Sequence, residues 1–314
     1  MIITLTANPA LDIYSTTPKL VPNEKLRCQL PILNPGGGGI NVSRVIKRLG
    51  GKSTAVYAKG GHTGKLFSDL LSKEGIDEDP VLVKNDLRQN FSITETSSNE
   101  LYRFGFPGAE LESDEYEALL EKVDQCKSGS FLVASGSLPP GAPNDFYARA
   151  AARANKCGLK FILDTSGRSY RGVLEEGVYL LKPNKNELQD LTGKVAETRE
   201  EQKAQLLELL NRYSIHIIVL SLGAEGAIVA SHGKVRHYQA PKVEHVSSIG
   251  AGDSMVAGMV YSLANGNSIE KAVLLGLACG SATIKSPGTD LLQKEDVQPL
   301  YELLLNELKQ AEDL

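Results

Sequence analysis

The sequence predicts an α/β fold: a doubly wound, mostly parallel sheet with helices on both faces and a small β-sheet lid. Strand-like and helix-like segments alternate along most of the 314 residues, a rhythm typical of parallel α/β sheets. Several strand candidates are continuous apolar runs, as expected for strands that are buried on both faces. Two stretches, residues 12–35 and 88–106, break the rhythm and are assigned to the lid.

Apolar periodicity locates six strands and eight helices of the main body. Thr198 and Glu201 have the spacing of a capping box, and Ser268 is a candidate N-cap. The predicted strands are Ile2–Thr6, Ser53–Ala58, Ser130–Ala134, Lys160–Leu163, Val178–Leu181 and His216–Ser221. The predicted helices are Val42–Leu49, Gly64–Glu74, Ser113–Cys126, Asn144–Lys156, Thr198–Tyr213, Gly252–Ala264, Ser268–Ile284 and Lys294–Lys309.

The two exceptional stretches contain short segments of alternating polarity. Phe91–Thr96 and Leu101–Phe104, for example, are separated by the turn residues 97–100. We predict that the stretches pair into a small antiparallel sheet that acts as a lid. The alternative is a pair of ordinary edge hairpins. No internal repeat or linker divides the chain, so residues 1–314 are predicted to form one domain with this lid.

Composition excludes several classes of protein. The net charge of −4 gives no general affinity for polyanions, so nucleic-acid binding is not expected. No apolar run approaches transmembrane length, and the N-terminus lacks a basic segment. We therefore expect a cytoplasmic protein that binds no membrane. The four cysteines are scattered without a CxxC pair, so neither a disulfide framework nor a zinc site is expected.

The segment Gly250-Ala251-Gly252-Asp253 precedes an apolar helix. A glycine loop at a helix start presents free backbone N–H groups at the positive end of the helix dipole, where an anion binds well. An acid there would repel a stationary phosphate. It suits a reaction in which the carboxylate of Asp253 takes a proton from a hydroxyl while the N–H groups hold a transferring phosphoryl group. The alternative is that Asp253 is an ordinary N-cap.

An earlier run, Gly36–Gly39, costs more backbone entropy than a plain turn requires. We interpret it as a place where a sugar approaches the backbone closely. Asn41 follows at a helix start, where it either caps the helix or hydrogen-bonds a sugar hydroxyl. Gly51-Lys52-Ser53 resembles the end of a P-loop, but Ile46 occupies the position of its first glycine, so we reject that motif. Neither glycine run fits a dinucleotide fingerprint.

Two further segments follow predicted strands, at the edge where α/β sheets place ligands. Residues 182–187, with Lys182, Asn184 and Glu187, suit nucleotide phosphates and Mg²⁺, or else form a charged helix start. Residues 221–226 either wrap a nucleotide or make a hairpin. Four cations lie in the predicted lid, and because arginine is a good phosphate ligand, they suggest a substrate that already carries a phosphate; they are Lys25, Arg27, Arg88 and Arg103.

With its two glycine signatures in this order, the chain resembles the ribokinase/PfkB family of carbohydrate kinases over essentially its full length. The signatures are Gly36–Asn41, continuing as Val42-Ser43-Arg44, and Ser248–Ser254. The resemblance implies a ribokinase-like fold and an ATP-dependent kinase. The unbroken glycine run favours the branch of the family that phosphorylates fructose 6-phosphate at its 1-hydroxyl. The alternatives are a tagatose-6-phosphate or fructose-1-phosphate kinase, and more distantly a sugar-phosphate sensor without catalysis.

The resemblance also implies roles for individual residues. Asp253 would be the base, and Gly250, Ala251 and Gly252 would supply the anion hole. The substrate would be held by Asp12, Lys25, Arg27, Gly37, Gly38, Asn41, Arg88, Arg103 and Ser137. ATP would be held by Lys182, Asn184, Glu187, Ser221, Gly223, Gly226 and Ser248, with Asn184 and Glu187 also positioning Mg²⁺.

A monovalent cation such as K⁺ is implied near Ser247, Ile249, Ser286 and Gly288. Asp290 departs from the basic residue expected beside that site. The lids of such relatives pair, so a homodimer through the lid is implied, with one lid cation reaching across from the partner subunit.

Overall fold

A computed structural model describes residues 1–165, 170 and 172–312. The strands are β1 (Ile2–Thr6), β2 (Ala10–Thr17), β3 (Ile32–Gly36), β4 (Thr54–Gly60), β5 (Asp77–Glu78), β6 (Val81–Val83), β7 (Arg88–Glu95), β8 (Glu100–Phe104), β9 (Phe131–Ser135), β10 (Lys160–Asp164), β11 (Val178–Leu181), β12 (Ile215–Ser221), β13 (Ala227–Ser231) and β14 (Lys234–Tyr238). The helices are α1 (Gly38–Arg48), α2 (Gly61–Lys73), α3 (Ser113–Asp124), α4 (Phe146–Lys156), α5 (Val173–Glu176), α6 (Lys185–Thr192), α7 (Arg199–Arg212), α8 (Ala251–Ala264), α9 (Ile269–Ile284) and α10 (Lys294–Glu312).

Ten strands form the main sheet in the order β14-β13-β12-β11-β10-β9-β1-β4-β5, with β6 also pairing to β4. All neighbours from β12 to β5 are parallel, whereas β13 and β14 continue the sheet as an antiparallel hairpin. The prediction of a mostly parallel sheet is therefore confirmed. The strands β13 and β14 themselves were not predicted.

Alternate residues of the central strands feed two separate cores. Leu5 and Leu132 pack in one core with residues of α3, α4 and α7, such as Leu120. Ile2 and Val133 pack in the other core with residues of α1, α8, α9 and α10. Side chains alternate across a strand, so the apolar runs read from the sequence bury both faces, and helices cover both faces as predicted.

Most predicted boundaries agree within two residues, and the largest difference is at α1. This helix begins at Gly38 rather than at Val42, with Gly37 as its N-cap at φ 110°. Two of the four glycines are therefore helical. The predicted caps are confirmed: the Thr198 hydroxyl accepts from Glu201 N at 3.2 Å, and the Ser268 hydroxyl accepts from Lys271 N at 3.3 Å.

A separate four-stranded sheet, called the small sheet below, has the order β3-β2-β7-β8. The expectation of an antiparallel sheet is wrong for its central pair, because β2 and β7 are parallel. The chain joins these two strands through residues 18–87, which include α1, β4 and α2. Parallel pairing needs such a crossover, whereas the outer pairs β2–β3 and β7–β8 are antiparallel.

No helix in the described part of the chain is both long enough and apolar enough to span a bilayer.

Candidate active site

Two cavities lie at the carboxyl edge of the main sheet, on either side of the start of α8. The first, of about 370 Å³, lies between the small sheet and the main body, and its walls include Gly250 and Asp253. The second, of about 140 Å³, includes Ala251 and Gly252 in its walls. The short segment Gly250–Asp253 is therefore shared by both cavities.

The start of α8 leaves backbone donors free at this shared segment. Gly250 is the N-cap, in the left-handed region at φ 73°, and an added Cβ there would lie 2.5 Å from Leu291 Cδ2. Ala251 N donates to Ser248 O at 3.4 Å, and Ser254 N donates to Gly250 O at 2.8 Å. The N–H groups between them are the unpaired donors of a helix N-terminus, which attract an anion.

Asp253 is the third residue of α8 rather than its N-cap, so the capping alternative is wrong. Its Oδ2 accepts a hydrogen bond from Asn41 Nδ2 at 2.8 Å. Burial, followed by the negative charge of Asp164, raises the pKa of Asp253 to about 7, against the lowering effects of Asn41 and Lys182. A carboxylate with a pKa near neutrality is well suited to accept a proton.

Asn41 lies in the second turn of α1 and does not cap the helix. It also lines the first cavity. The capping alternative is therefore wrong, whereas the contact with a sugar hydroxyl stays a prediction. The structure adds a contact that the sequence did not reveal, with Asp253, 212 residues away in the chain.

Lys182 forms an ion pair with Asp164, and both charges act on Asp253. The Lys182 Nζ to Asp164 Oδ1 distance is 2.9 Å, and the side chains are 6% and 12% exposed. Burial is the largest single influence on the pKa of Lys182 and lowers it, but the charge and hydrogen bond of Asp164, together with the charges of Glu187 and Asp253, raise that pKa overall. The Lys182 Nζ also lies 3.6 Å from the position of an added Cβ at Gly252, so this positive charge is next to the start of α8.

Sequence reasoning missed Asp164, which ends β10. The only available signal was an acid directly after the apolar run of that strand, at the edge where ligands bind.

Asn184 and Glu187 form a reciprocal capping box at the start of α6. Asn184 Oδ1 accepts from Glu187 N at 2.9 Å, and Glu187 Oε2 accepts from Asn184 N at 2.8 Å. The helix-start interpretation of this segment is confirmed. Burial raises the pKa of Glu187, and the charge of Asp164 adds to this effect, so two carboxylates face the same region. In the described chain, no three metal-ligating side chains of the His, Cys, Asp or Glu type form a cluster.

Of the seven residues predicted to hold ATP, three line the second cavity: Ser221, Gly223 and Gly226. Ser248 is exposed and is not in the wall. Residues 221–226 connect the antiparallel strands β12 and β13, so the hairpin interpretation is confirmed, and the contact with a nucleotide stays a prediction. Sequence reasoning missed the apolar residues of α8 and α9 that complete the walls, namely Met255, Leu277 and Ile284.

The glycines at 36–39 have a packing reason that the sequence did not reveal. An added Cβ at Gly36 would collide with the Asp12 carboxylate, and one at Gly38 would collide with Ser135 Oγ. One at Gly39 would lie 2.5 Å from Thr6 Oγ1. Contacts within the protein therefore require these glycines, while Gly37 and Gly38 also line the first cavity.

The small sheet contributes Asp12, Arg88 and Arg103 to the first cavity. Burial raises the pKa of Asp12, whose Oδ1 accepts from Asn90 Nδ2 at 2.9 Å. Arg88 donates to Asn8 O at 3.0 Å and to Phe106 O at 3.2 Å. Its Nε has no hydrogen-bond partner among the described residues. Sequence reasoning did not select Asn90, although it lines this cavity.

Three predicted substrate residues lie outside the walls of the first cavity in the single chain. Lys25 and Arg27 are exposed on the segment between β2 and β3. Ser137 is exposed beside the cavity residue Gly136 and accepts a 3.5 Å hydrogen bond from Asn8 Nδ2.

The residues expected around a monovalent cation are brought together only in part. Ser247 Oγ donates to Gly288 O at 2.9 Å and accepts from Ile249 N at 3.3 Å. Ser286 Oγ donates instead to Leu291 O at 3.1 Å. Asp290 pairs with Arg48 at 3.2 Å, so its carboxylate is held by α1.

Comparisons with known proteins give matches over nearly the whole chain. The model of a family described as pfkB family carbohydrate kinase matches residues 6–296. ATP-dependent 6-phosphofructokinase isozyme 2 of Mycobacterium tuberculosis (strain CDC 1551 / Oshkosh) is 39% identical over 313 residues, covering 99% of this chain and 92% of that protein. The enzyme of the same name from Escherichia coli (strain K12) is 39% identical over 304 residues, covering 96% and 98%.

Solved structures of phosphofructokinase-2 from E. coli superimpose over 97% of this chain and 99% of theirs. The complex with potassium has a TM-score of 0.93 at 39% identity. The complex with fructose-6-phosphate and a tetrameric inhibited form each have a TM-score of 0.92 at 38% identity.

The Lys182–Asp164 pair leads to a test of stability. We expect Lys182→Met to lower the free energy of unfolding by about 3–5 kcal/mol, because it leaves a buried carboxylate without a partner. Adding Asp164→Asn should restore most of the loss, since the unpaired charge is then gone. Urea unfolding followed by far-UV circular dichroism at pH 7 measures both.

The matched control is Lys194→Met, which breaks an exposed pair with Glu208 (2.8 Å, side chains 58% and 52% exposed) and should cost less than about 1 kcal/mol. Equal losses in the buried and exposed variants would contradict this account of the pair.

Proposed function

The chain belongs to the pfkB family of carbohydrate kinases, and on that basis we propose that it transfers the γ-phosphoryl group of ATP to the 1-hydroxyl of fructose 6-phosphate. The products are fructose 1,6-bisphosphate and ADP. The observation that carries the proposal is the position of Asp253 at the helix start that two cavities share. A base between an acceptor site and a nucleotide site is what phosphoryl transfer requires.

The first cavity is the proposed site of the phosphosugar. Its volume of about 370 Å³ lies in the range of small-ligand sites. Asp12, Asn41 and the backbone at Gly37 and Gly38 would bind the hydroxyl groups. Arg88 and Arg103 would bind the 6-phosphate, because a guanidinium can donate two parallel hydrogen bonds to phosphate oxygens. Ser137, at the rim, would contact the same substrate.

The second cavity is the proposed site of the nucleotide. Met255, Leu277 and Ile284 give it an apolar wall that suits a purine base, with Ser221, Gly223 and Gly226 at the edge. Ser248, whose carbonyl accepts a hydrogen bond from Ala251 N at 3.4 Å at the start of α8, would contact the phosphate chain. Lys182, placed beside Gly252, would neutralise phosphate charge.

The residues present fit a nucleotide-bound Mg²⁺. Glu187 and Asp164 direct negative charge to one region, and Mg²⁺ typically takes one or two carboxylates together with phosphate oxygens and water. Glu187 and Asn184 would hold it, partly through water. When bound, the ion supplies positive charge that offsets the charge of the phosphates.

In the proposed reaction, Asp253 takes the proton of the sugar 1-hydroxyl. The hydroxyl oxygen forms a bond to the γ-phosphorus, and the bond from that phosphorus to the bridging oxygen of ADP breaks. The N–H groups at Gly250–Asp253 hold the charge on the transferring group. The small sheet covers the first cavity as a lid, which would exclude the water that otherwise hydrolyses ATP.

A monovalent cation near the start of α8 is a further part of the proposal. Ser247, Ile249 and Gly288 lie together, and Ser286 is two residues before Gly288. The complex of the E. coli relative with potassium supports a K⁺ site here. Carbonyl oxygens of this loop would bind the ion once Ser247 releases Gly288 O.

We also propose a homodimer through the lid. Leu30 is 90% exposed and Ile32 is 55% exposed, at the edge formed by β3 and the segment before it. Pairing of two such edges would bury these side chains. It would also bring Lys25 and Arg27 of one subunit toward the first cavity of the other, since they do not line their own.

The substrate is tested by measuring ADP release with fructose 6-phosphate, tagatose 6-phosphate, fructose 1-phosphate and fructose as acceptors. We expect the highest kcat/KM with fructose 6-phosphate.

Asp253→Asn should lower turnover by about a hundredfold or more while ATP still binds. Asp69→Asn, an exposed acid on α2, serves as the matched control. A preference for another sugar would correct the substrate, whereas normal turnover in Asp253→Asn would refute the mechanism.

The pH dependence tests the contact between Asn41 and Asp253. Because Asp253 must be deprotonated, kcat/KM should fall as the pH drops below about 7. The hydrogen bond from Asn41 lowers that pKa, so Asn41→Ala should move the fall to higher pH by about one unit, given about 1.5 kcal/mol for a bond to a charged group. Asn90→Ala removes the hydrogen bond to Asp12 instead, so the fall in kcat/KM should stay at the same pH. A shift to lower pH in Asn41→Ala would contradict the assignment.

The dimer is tested by analytical ultracentrifugation of Leu30→Lys/Ile32→Lys. We expect this variant to be monomeric, with a raised KM for the phosphosugar, because charge replaces the apolar contact. Leu82→Lys changes a leucine that is 77% exposed on β6, outside the lid, and should leave the dimer intact. A dimer that persists in the lid variant would place the interface elsewhere.

A further inference from the structure

A third cavity, called the hairpin cleft, lies on the β13–β14 hairpin beside the start of α9. Its volume is about 640 Å³. Its walls include Val229 and Ser231 of β13, Lys234 and Arg236 of β14, and Ile269 and Glu270 of α9. None of these residues takes part in the proposed kinase site.

The strand register places the polar groups of the cleft on one face. Val229 is paired with Arg236, and Ser231 is paired with Lys234. Residues two apart on a strand share a face, and directly paired residues lie side by side. The two cations are therefore neighbours on the same surface, facing α9.

Both cations are available to a ligand. Lys234 and Arg236 are exposed, and neither forms an ion pair within the described chain. The acid of the cleft, Glu270, is held mainly by its own backbone N–H and by Ser268 at the helix start, with further help from Arg236 and Lys234; these interactions lower its pKa. Two positive charges thus face one carboxylate that the helix already stabilises, so the cleft attracts an anion.

Other parts of the cleft favour a ligand that is more than a simple anion. Val229 and Ile269 give it an apolar floor, and Arg236 lies over the ring of Tyr238 at 5.3 Å. The Ser231 hydroxyl lies buried beneath the cleft and has no hydrogen-bond partner among the described residues. The start of the 16-residue helix α9 is already occupied by the Ser268 cap and the Glu270 carboxylate, so the attraction for an anion comes from Lys234 and Arg236.

We propose that the hairpin cleft binds a small organic phosphate with an apolar or aromatic body. The phosphate lies between Lys234 and Arg236 near the start of α9. The body of the ligand covers Val229 and Ile269. A volume of about 640 Å³ accommodates a molecule the size of a nucleoside monophosphate.

The position of the cleft indicates that this ligand is not a reactant. β13 begins beside Gly226 in the second cavity and runs away from it to Ser231. α9 starts at the cleft, and its later residues, among them Leu277 and Ile284, line the second cavity. A bound ligand would therefore be an effector, contacting the helix that forms part of the proposed nucleotide site. The proposal stands whether or not the kinase proposal holds.

The chain contains no tryptophan, so Ile269→Trp provides a fluorescent reporter at the cleft alone. AMP, inorganic phosphate and adenosine are titrated against this variant. We expect a saturable change with AMP, and binding at least tenfold weaker for phosphate or adenosine. In the same background, Lys234→Gln/Arg236→Gln should weaken AMP binding at least tenfold. Lys52→Gln/Lys65→Gln, the same loss of charge on another surface, should leave it unchanged.

Calorimetry without the reporter provides an independent measurement. The chain with native Ile269 should bind one more AMP per chain than Lys234→Gln/Arg236→Gln, and the basal ADP-release rate of that variant should stay within twofold, which shows that it is folded. The proposal is overturned if AMP gives no saturable signal at 10 mM, if phosphate binds as tightly as AMP, or if both charge variants behave alike.

Discussion

The site depends on one electrostatic constraint: two carboxylates and one ammonium group share the space at the start of α8. Asp164 repels negative charge on Asp253, and Lys182, buried between the ends of β10 and β11, offsets that repulsion. Burial and Asp164 together raise the pKa of Asp253 to about 7. The balance keeps the carboxyl group partly ionised at neutral pH and basic enough to accept a proton. Moving Asp164 or Lys182 would therefore change the pKa of Asp253.

The same constraint explains the glycines at the start of α1. For Asn41 to reach Asp253 at 2.8 Å, the first turn of α1 must lie directly against the ends of β1 and β9. Side chains at 38 and 39 would collide with Ser135 and Thr6. The glycine run thus allows a helix to approach the sheet closely. The backbone of Gly37 and Gly38 also forms part of the wall of the first cavity.

The sequence could predict whatever depended on local pattern. The apolar runs located the central strands, and the Gly250–Asp253 segment located the helix start where the cavities meet. What it could not predict depended on contacts between distant segments. Asp164 looks like any acid after a strand until its partner Lys182 is known. The parallel pairing of β2 with β7 depends on the path of 70 intervening residues. Asn184 and Glu187 cap α6, as the structure shows, and their proposed role in nucleotide binding depends on a ligand that the sequence pattern does not describe.

A buried arginine joins the small sheet to α1, the helix that carries Asn41. Arg44, on α1, is 1% exposed; its NH1 donates to Pro35 O at 3.0 Å, and its guanidinium pairs with Glu74 at 2.8 Å. β3 therefore meets α1 at a fixed angle, because a change at this junction would leave a buried guanidinium unpaired, which costs several kcal/mol. The far end of β7 is joined to β2 rather than to α1, since Thr96 N donates to Thr17 O at 2.9 Å. We therefore expect any closure over the first cavity to bend β7 and β8, which would move Arg103 in the cavity wall while Asn41 and Asp253 keep their geometry.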